Sequence, residues 1–362
     1  MTTQTKTKKT IPAKWHGKPY YSLDAWCKNT LGRKCYKIAL NAHMTCPNRD
    51  GSLDTRGCIF CSAGGSGDFA VNIAGKSVEE QLAEGLALFH AKYCTPSEDI
   101  AAAIFSSGTN PGPTRFPNLI AYFQAYTNTY APLPYLRSVY TKALDCPVVC
   151  GISIATRPDC LHDDVLALLS ELKTAYPDKF IWVELGLQTI HEKSAQFIRR
   201  GYDLPCFEKA FAALQKIKVP VIVHLILGLP DETPDMILES ISYLNRLQTF
   251  GVKLQLLHIL RGTDLGELYL HQNLQTQLAG TSSSPAYTPV IRPLAKDEYL
   301  ALLTDCIRHL SPDIVIHRLT GDGPKALLLA PEWSENKRDV LNSLHQKLKL
   351  LSATQGDALP QA

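Results

Sequence analysis

Three cysteines lie close together near the start of the chain, in the stretch CPNRDGSLDTRGCIFCSAGGSGDF at 46–69. Cys58 and Cys61 form a CxxC pair, Cys46 precedes Cys58 by eleven intervening residues, and the stretch contains no histidine. A structural zinc site takes four ligands, whereas a four-iron four-sulfur cluster on three thiolates keeps one iron open for a further ligand. The spacing therefore favours an iron–sulfur site, and a zinc site or ordinary buried cysteines are the alternatives.

Glycines surround these sulfurs at four positions, Gly57, Gly64, Gly65 and Gly67. Without side chains, they let the backbone approach inorganic sulfide and donate N–H bonds to it, and they leave room above an open iron. The chain has eleven cysteines with uneven spacing, which favours reduced thiols over a disulfide framework. Cys146, Cys150 and Cys160 lack a nearby fourth ligand for a second cluster, so we expect buried structural thiols there.

Polar or reactive groups also follow a series of short apolar runs that are typical of strands. In sheets covered by helices on both faces, the working residues lie on loops after the carboxyl ends of the strands. The groups that follow the six predicted strands are, in order, Cys46, Thr127 with Asn128, Thr156 with Arg157, Gln188, Gly228 and His258. We therefore expect these residues to meet at one mouth of the sheet.

The short apolar runs alternate with helix-length amphipathic stretches, a pattern typical of βα units around a parallel sheet. The six predicted strands lie near 36–42, 119–126, 148–154, 181–187, 220–227 and 252–258. The predicted helices lie near 78–92, 135–144, 161–173, 191–200, 204–217, 234–249, 296–310 and 336–351. Because helices connect the successive strands, the sequence predicts an α/β fold with crossover helices.

The length of 362 residues and the hydrophobic content of 45% allow one large domain or two ordinary ones. The low-complexity segment GTSSSPAYTP at 280–289 is typical of a linker. We expect three parts: a basic N-terminal arm at 1–35, the strand-and-helix region at 36–279, and a C-terminal extension at 290–362.

Residues 1–40 hold nine Lys or Arg against one acid, although the whole chain carries a net charge of only +3. Cations contact phosphates and aromatic rings stack on bases, so this arm suits RNA, and a solvated tail is the alternative. The interleaved aromatic residues are Trp15, Tyr20, Tyr21 and Trp26. No apolar run reaches the roughly 18 residues of a membrane span, and the lysines near the start precede no apolar signal-peptide region. We therefore expect a cytoplasmic protein.

Eight motifs follow one another over about 280 residues: CPNRDG, GCIFCS, GSGDF, AYFQAYTNTYAP (121–132), TRPDC (156–160), VELGLQT (183–189), HLILGLP (224–230) and HRLTGD (317–322). Together they resemble the YhcC/YtqA family of radical S-adenosylmethionine (radical SAM) proteins. The resemblance implies a partial (β/α)6 TIM-like radical SAM barrel with a C-terminal α/β extension. It also implies a 4Fe-4S cluster on Cys46, Cys58 and Cys61, with S-adenosyl-L-methionine on the fourth iron. One electron from such a cluster cleaves that cofactor to a 5′-deoxyadenosyl radical, which abstracts a substrate hydrogen.

The resemblance also implies roles for individual residues. The cofactor-binding candidates are Gln188, Arg200, Glu184, His224, Asn128, Thr127 and Arg157, with Asp159 bracing Arg157. The simpler alternatives are a hydrogen-bonded packing residue, a core histidine, part of a polar turn or, for Arg157 and Asp159, a helix cap or loop brace. The substrate candidates are His258, His317, Arg318 and Asp322. The HRLTGD motif, which supplies three of them, either contacts substrate or only packs against the barrel mouth.

Some positions depart from the patterns of these proteins. The long gap between Cys46 and Cys58 differs from the frequent CxxxCxxC spacing of the superfamily, but the resembling family and its relative, the catalytic subunit of elongator, share it. Tyr202 stands where family members usually have histidine after Arg-Gly, and Gln255 stands where histidine is frequent. Residues 94–118 look like an insertion. These departures concern substrate contacts and leave the cluster ligands untouched.

The resemblance leads to three functional hypotheses. The first is a tRNA-modifying radical SAM enzyme, since family members of the YtqA type are linked to the wobble-uridine step from carboxymethylaminomethyluridine to aminomethyluridine. Its partners would be tRNA and an electron donor such as flavodoxin or ferredoxin. The second is radical chemistry on a small molecule, for which the basic arm is irrelevant. The third is a non-catalytic iron–sulfur protein that binds RNA or senses redox state.

Overall fold

The computed structural model describes residues 11–65, 75–93, 118–278, 289–321 and 323–360. Seven parallel strands form the main sheet and are hydrogen-bonded in this order: β1 (Cys35–Leu40), β2 (Asn118–Phe123), β3 (Val149–Thr156), β4 (Phe180–Gln188), β5 (Val221–Leu227), β6 (Gly251–Leu256) and β8 (Val315–Arg318). A separate antiparallel pair joins β7 (Ile259–Leu260) to β9 (Leu328–Ala330).

Helices connect the successive strands of the main sheet. The connecting helices are α2 (Val78–Tyr93), α3 (Leu133–Asp145), α4 (Asp163–Ala175), α5 (Glu192–Phe197), α6 (Leu204–Lys216), α7 (Pro234–Leu247), α8 (Asp264–Leu278) and α9 (Lys296–His309). Two more helices, α1 (Leu23–Leu31) and α10 (Lys337–Leu351), precede and follow the sheet. Every strand and helix predicted from the sequence is present, to within three residues at each end. Local signals explain this agreement, since side chains such as that of Thr233 cap helix N-termini.

The two faces of the sheet have different chemistry. On the outer face, Leu119, Ile154 and Leu185 belong to the main hydrophobic core, which the connecting helices cover. On the inner face, Lys37 of β1 and Lys253 of β6 both contact Glu184 of β4, although these strands are not neighbours. Such contacts require the sheet to curl. The structure therefore confirms an α/β fold with a partial TIM-like barrel.

Aromatic side chains close the end of the barrel at which the strands begin. The ring of Trp26, on α1, lies 4.9 Å from Trp182, 5.6 Å from Phe250 and 5.7 Å from Phe180, measured between centroids. Phe180 is the first residue of β4, and Phe250 directly precedes β6. The helix α1 within the basic segment thus covers the end of the barrel opposite the carboxyl ends of the strands.

The described part of the basic segment, residues 11–35, packs against the barrel. Trp15 is 1% exposed, and Tyr20 is 6% exposed with its hydroxyl 3.0 Å from His345 Nε2. Together with Trp26, these rings serve as core, which corrects the interpretation that they stack on RNA bases. Lys14 pairs with an aspartate of the barrel, and the cluster of lysines before residue 11 lies outside the described residues.

The C-terminal section contributes to the barrel itself. The sequence predicted six strands, but β8 adds a seventh, pairing in parallel with β6. This strand has four residues, VIHR, half of them polar, so it lacks the apolar run by which the others were found. Its opposite edge meets the basic segment through a bridge between Ser22 and Ile316. The proposed linker at 280–289 and insertion at 94–118 lie almost wholly outside the described residues.

Candidate functional site

A cavity of about 240 Å³ opens at the carboxyl ends of the strands. Its rim includes Cys46, Cys58 and Cys61, which the loop after β1 supplies. Of the polar groups predicted to meet at one mouth, the structure brings together on this cavity Cys46, Thr127, Thr156, Arg157, Gln188 and His258. Asn128 and Gly228 do not line it. The barrel therefore gathers side chains from successive strand ends around the three sulfurs.

Hydrogen bonds hold the cysteine loop in a defined shape. Asn48 Nδ2 lies 3.5 Å from Cys58 Sγ and donates to the carbonyl of Arg199 at 2.8 Å. The guanidinium of Arg49 donates to the carbonyls of Cys61, at 2.8 Å, and Ser62, at 2.5 Å. The loop also joins α5 through the N–H of Ile59, which donates to the carbonyl of Ile198 at 3.1 Å. These bonds fix the CxxC segment relative to the barrel.

The donor set of this loop fits an iron–sulfur cluster. Burial, together with the nearby Cys61 and Cys46, raises the pKa of the Cys58 thiol to about 12, so a bound cation is needed to hold it as a thiolate near pH 7. Within the described residues, no three His, Cys, Asp or Glu side chains are arranged to hold a single metal ion. A four-iron four-sulfur cluster needs only three protein thiolates, each on a different iron, whereas a structural zinc site takes four ligands on one ion.

Gln188 occupies an unusual position at the rim. Its backbone has φ of 65°, in the left-handed region that residues with side chains seldom adopt. Its side chain lines the cavity, and its Oε1 is buried without a hydrogen-bond partner among the described residues. Strain of this kind persists when the surrounding structure enforces it, and it is often found at functional sites. Gln188 thus brings an unpartnered polar atom to the wall of the cavity.

Arg157 and Arg200 are tied to the protein itself. Arg157 forms two hydrogen bonds to the Asp159 carboxylate, at 2.7 and 2.9 Å, as the bracing role required. Arg200 is 2% exposed and donates to the carbonyls of Leu187, at 3.0 Å, and Thr189, at 2.7 Å. Both guanidinium groups lie over the ring of Tyr202, at 4.9 and 5.0 Å from its centroid. Although both line the cavity, their bonds chiefly brace the rim.

The two residues of the YTNT motif have different surroundings. Thr127 lines the cavity, and its N–H donates to the carbonyl of Thr45 in the cysteine loop at 3.2 Å. Asn128 is fully buried, and its amide donates to the carbonyls of Phe123, at 3.1 Å, and Ala155, at 3.0 Å. Asn128 therefore joins β2 to β3, while Thr127 faces the cavity.

A charged cluster forms the bottom of the cavity. Glu184 is fully buried, and its carboxylate accepts from Lys37, at 2.5 Å, from Ser153, at 2.7 Å, and from Lys253. His224 Nε2 lies 2.8 Å from the same carboxylate. Burial works against the charge on Glu184, but Lys253 and Lys37 outweigh it, so the pKa of that carboxyl lies well below its ordinary value. Burial lowers the pKa of His224 to about 4, and this imidazole is neutral near pH 7.

The substrate candidates divide between the cavity and the core. His258 lines the cavity beside Gly321 and Gly323, at which an added Cβ would lie 2.7 Å from a ring nitrogen. Arg318 also lines the cavity. His317 does not line it: its half-buried ring packs edge-on against Trp182, at 5.3 Å, and Phe250. Asp322 lies outside the described residues.

Sequence reasoning missed several residues that the structure places in or beside the cavity: Lys37, Arg49, Tyr122, Tyr126 and Lys253. Lys37 and Lys253 each interrupt an otherwise apolar strand, in YKIAL and VKLQL. A lone lysine within a buried strand is expensive unless it has a partner, and this signal could have identified both.

The cysteines away from the loop bear on the idea of a second cluster. Cys146 and Cys160 are each 2% exposed, whereas Cys150 is half-buried with its sulfur 3.9 Å from that of Cys35. The three lie at separate places around β3, and the burial of Cys146 and Cys160 agrees with structural thiols.

No helix in the described part of the chain has the length and apolar character needed to cross a membrane.

Comparisons with known proteins bear on this site. The model of the radical SAM superfamily matches residues 55–244, and that of the radical SAM C-terminal domain matches residues 288–350. The solved structure of the archaeal Methanocaldococcus infernus Elp3 with an N-terminal deletion has a TM-score of 0.60 at 13% identity. That comparison covers 89% of this chain but only 64% of the Elp3 chain, and it shows a shared fold.

Two curated relatives match over most of their length. The uncharacterized protein YtqA of Bacillus subtilis (strain 168) is 37% identical over 339 residues, covering 94% of this chain and 92% of YtqA. Protein YhcC of Escherichia coli (strain K12) is 31% identical over 328 residues, covering 91% of each chain. With these matches, the chain belongs to the radical SAM superfamily, in the family that includes YtqA and YhcC.

Proposed function

We propose that this chain is a cytoplasmic radical SAM enzyme that modifies the wobble uridine of tRNA, from carboxymethylaminomethyluridine to aminomethyluridine. The observation that carries the proposal is the meeting of Cys46, Cys58 and Cys61 with polar strand-end residues on one cavity, in a chain of this superfamily. When bound, the 4Fe-4S cluster and S-adenosyl-L-methionine supply a radical that abstracts a substrate hydrogen. An electron donor such as flavodoxin or ferredoxin is the second partner.

Different residues of the chain would hold the cluster, contact the cofactor and position the rim. Cys46, Cys58 and Cys61 hold the cluster, and Asn48 donates a hydrogen bond toward the Cys58 sulfur, which stabilises its thiolate. Gln188 and Thr127 offer polar groups to the cofactor. Arg157 and Arg200 brace the rim through hydrogen bonds to a carboxylate and to backbone carbonyls. Asn128 joins β2 to β3 beneath the rim. Glu184 and His224 lie further from the rim, at the bottom of the cavity.

Apolar side chains complete the cavity. Ile198, Ile226 and Leu257 line the same space as the sulfurs, and each is at most 8% exposed. Radical chemistry needs such a wall, because water and loose side chains near the reacting atoms allow side reactions.

The tRNA substrate rests on three supports. The relative YtqA is 37% identical, and the motifs resemble the family linked to wobble-uridine maturation. The fold is similar to that of the archaeal Elp3. Lys6, Lys8 and Lys9, which precede residue 11, provide positive charge for phosphate contacts.

The test begins with tRNA from a strain that lacks the gene. Mass spectrometry of its nucleosides should show accumulation of carboxymethylaminomethyluridine and loss of aminomethyluridine, and the purified enzyme with a reductant should reverse the change. Unaltered nucleosides, with cofactor cleavage by the reduced protein, would point to a small-molecule substrate instead. Absence of cofactor cleavage would support a non-catalytic iron–sulfur protein.

The cluster has its own test. Anaerobically reconstituted protein should bind about four irons. Replacement of Cys58 by Ala should abolish iron binding, whereas Cys206→Ala, a change outside the cavity, should retain it. Gln188→Ala should weaken cofactor binding with iron content intact. Stoichiometric zinc without iron, or joint loss of iron and cofactor in Gln188→Ala, would contradict these assignments.

A further inference from the structure

Tyr122, Glu184, His224 and Lys253 form the bottom of the cavity, and Lys37 lies beside them in contact with Glu184. This group contains two lysines and one carboxylate. The carboxylate of Glu184 accepts from both lysines, and the Lys253 ammonium also donates to the Tyr122 hydroxyl at 2.8 Å. Lys253 and Glu184 are 2% and 0% exposed, so water does little to screen them. We call these five residues the floor.

Two lysines face one carboxylate on the floor, and the neutral His224 adds no charge. Burial lowers the pKa of Lys253 well below its ordinary value; the charge of Glu184 opposes this shift, and the charges of Lys37 and Arg318 add to it. An anion bound beside this amine favours its protonated form and offsets the repulsion from the neighbouring cations. An ammonium group has three N–H donors, of which Tyr122 and Glu184 take two on the floor.

The floor lies apart from the place where the cofactor would meet the cluster. Glu184 precedes Gln188 by four residues on β4, which corresponds to roughly 13 Å at the ordinary rise of a strand. Lys37 likewise lies within β1, while Cys46 follows in the loop beyond that strand. The sulfurs therefore occupy the rim and the lysines occupy the opposite end of the same cavity. A ligand that reaches the floor must enter past the rim.

We infer that the floor is an anion subsite, in which Lys253 and its neighbours bind a carboxylate of the substrate. The inference rests on the proposed function in one respect: carboxymethylaminomethyluridine ends in such a carboxylate, and aminomethyluridine lacks it. With the carboxylate on the floor, the side arm extends toward the rim, where the reactive group of the bound cofactor would lie. The floor would therefore both recognise the substrate and align its side arm.

The first experiment asks whether the floor binds an anion. Crystals of the cluster-loaded enzyme with S-adenosyl-L-methionine, soaked in sodium bromide, should show an anomalous peak within about 3.5 Å of Lys253 Nζ. In crystals of Lys253→Met the peak should be absent. If the wild-type crystals show no peak, the subsite is wrong. If the peak is present only without S-adenosyl-L-methionine, the floor belongs to the cofactor's carboxylate, and the inference is overturned.

The second experiment asks whether the anion is the substrate's. Wild-type enzyme should bind tRNA with carboxymethylaminomethyluridine at least ~10-fold more tightly than tRNA with aminomethyluridine, as expected for one charge-assisted contact. Lys253→Met should reduce that preference to about 2-fold or less, since it removes the contact. The control is Lys179→Met, a half-buried lysine outside the cavity that donates to the Cys146 carbonyl at 2.9 Å.

A second floor variant, expected to raise the preference for carboxylate-bearing tRNA, distinguishes loss of the anion contact from misfolding. Glu184→Gln removes the competing carboxylate, so it should increase the preference for the carboxylate-bearing tRNA. A general loss of structure cannot produce that gain. If neither floor variant alters the preference, the carboxylate does not bind there. If bromide binds at Lys253 but the enzyme does not act on wobble uridine, the proposed function fails while the anion subsite stands.

Discussion

Trp26, on α1, lies at the end of the barrel where the strands begin. In the structure, this indole closes the barrel with edge-on contacts to Trp182, Phe180 and Phe250. We predict that Trp26→Ala destabilises the protein. Truncation of a buried tryptophan costs about 3–5 kcal/mol, and a half-buried ring should be near the lower limit, about 3 kcal/mol. Three aromatic pairs at about 1 kcal/mol each give a similar figure.

Thermal unfolding at a fixed scan rate measures this effect. For a chain of this size, a loss of about 3 kcal/mol corresponds to a fall in Tm of roughly 5 °C. Trp26→Phe keeps a ring in the same place and should lose about one third as much. Neither variant should change tRNA affinity at temperatures where the protein is folded, because the ring faces the barrel. If Trp26→Ala keeps its Tm and weakens tRNA binding several-fold, the ring contacts RNA and the argument is refuted.

Three further predictions follow from other parts of the molecule. Removal of residues 1–10 deletes Lys6, Lys8 and Lys9 and should reduce the salt slope of tRNA binding by at most about 3 units, measured by gel shift at several salt concentrations. An unchanged slope would exclude these lysines from phosphate contact. Tyr202→Phe removes the hydroxyl that donates to the Gly186 carbonyl at 2.9 Å and should cost about 1–2 kcal/mol in urea unfolding without loss of iron. Loss of iron in that variant would instead assign the hydroxyl to the cluster site. Burial holds the pKa of His317 well below its ordinary value of 6.5, so only the unfolded chain gains this proton as the pH falls below 6.5. Between pH 6.5 and pH 5, the free energy of unfolding should fall by about 2 kcal/mol less in His317→Phe than in the wild type. The same fall in both proteins would contradict the burial of this imidazole.

The strands of the barrel could be predicted because each of the first six is a largely apolar run, and β2 to β6 are buried at nearly every position. Their carboxyl ends could be located for the same reason, so the sequence predicted that Thr127, Arg157 and Gln188 meet at one mouth, and all three line the cavity. The strand β8 could not be found in this way, because its four residues are stabilised by pairing with β6 rather than by their own pattern.

The basic segment and the floor were missed for a different reason. Composition suggested a free arm at 1–35, but its aromatic residues supply the apolar surface that closes the barrel, as Trp26 shows. Amino-acid composition gives the number of charges and aromatic rings in a segment, but it does not show which neighbours bury them. The floor depends on contacts between Lys37, Glu184 and Lys253, which lie on three non-adjacent strands. Only the curl of the sheet brings such distant positions together.

The contacts around Gly201 explain how the rim and the cysteine loop are joined. Gly201 has φ of 83°, and an added Cβ would lie 2.7 Å from Asn48 Oδ1, so this position requires glycine on two grounds. The Asn48 amide bridges the Cys58 sulfur and the carbonyl of Arg199. Next along the chain, Tyr202 stacks on both rim guanidinium groups. The segment Arg199–Tyr202 therefore couples the cluster loop to the strand-end residues. Tyr202, where family members usually have histidine, changes the contacts of the two rim guanidinium groups. It leaves unchanged the Asn48 bonds that hold the Cys58 sulfur.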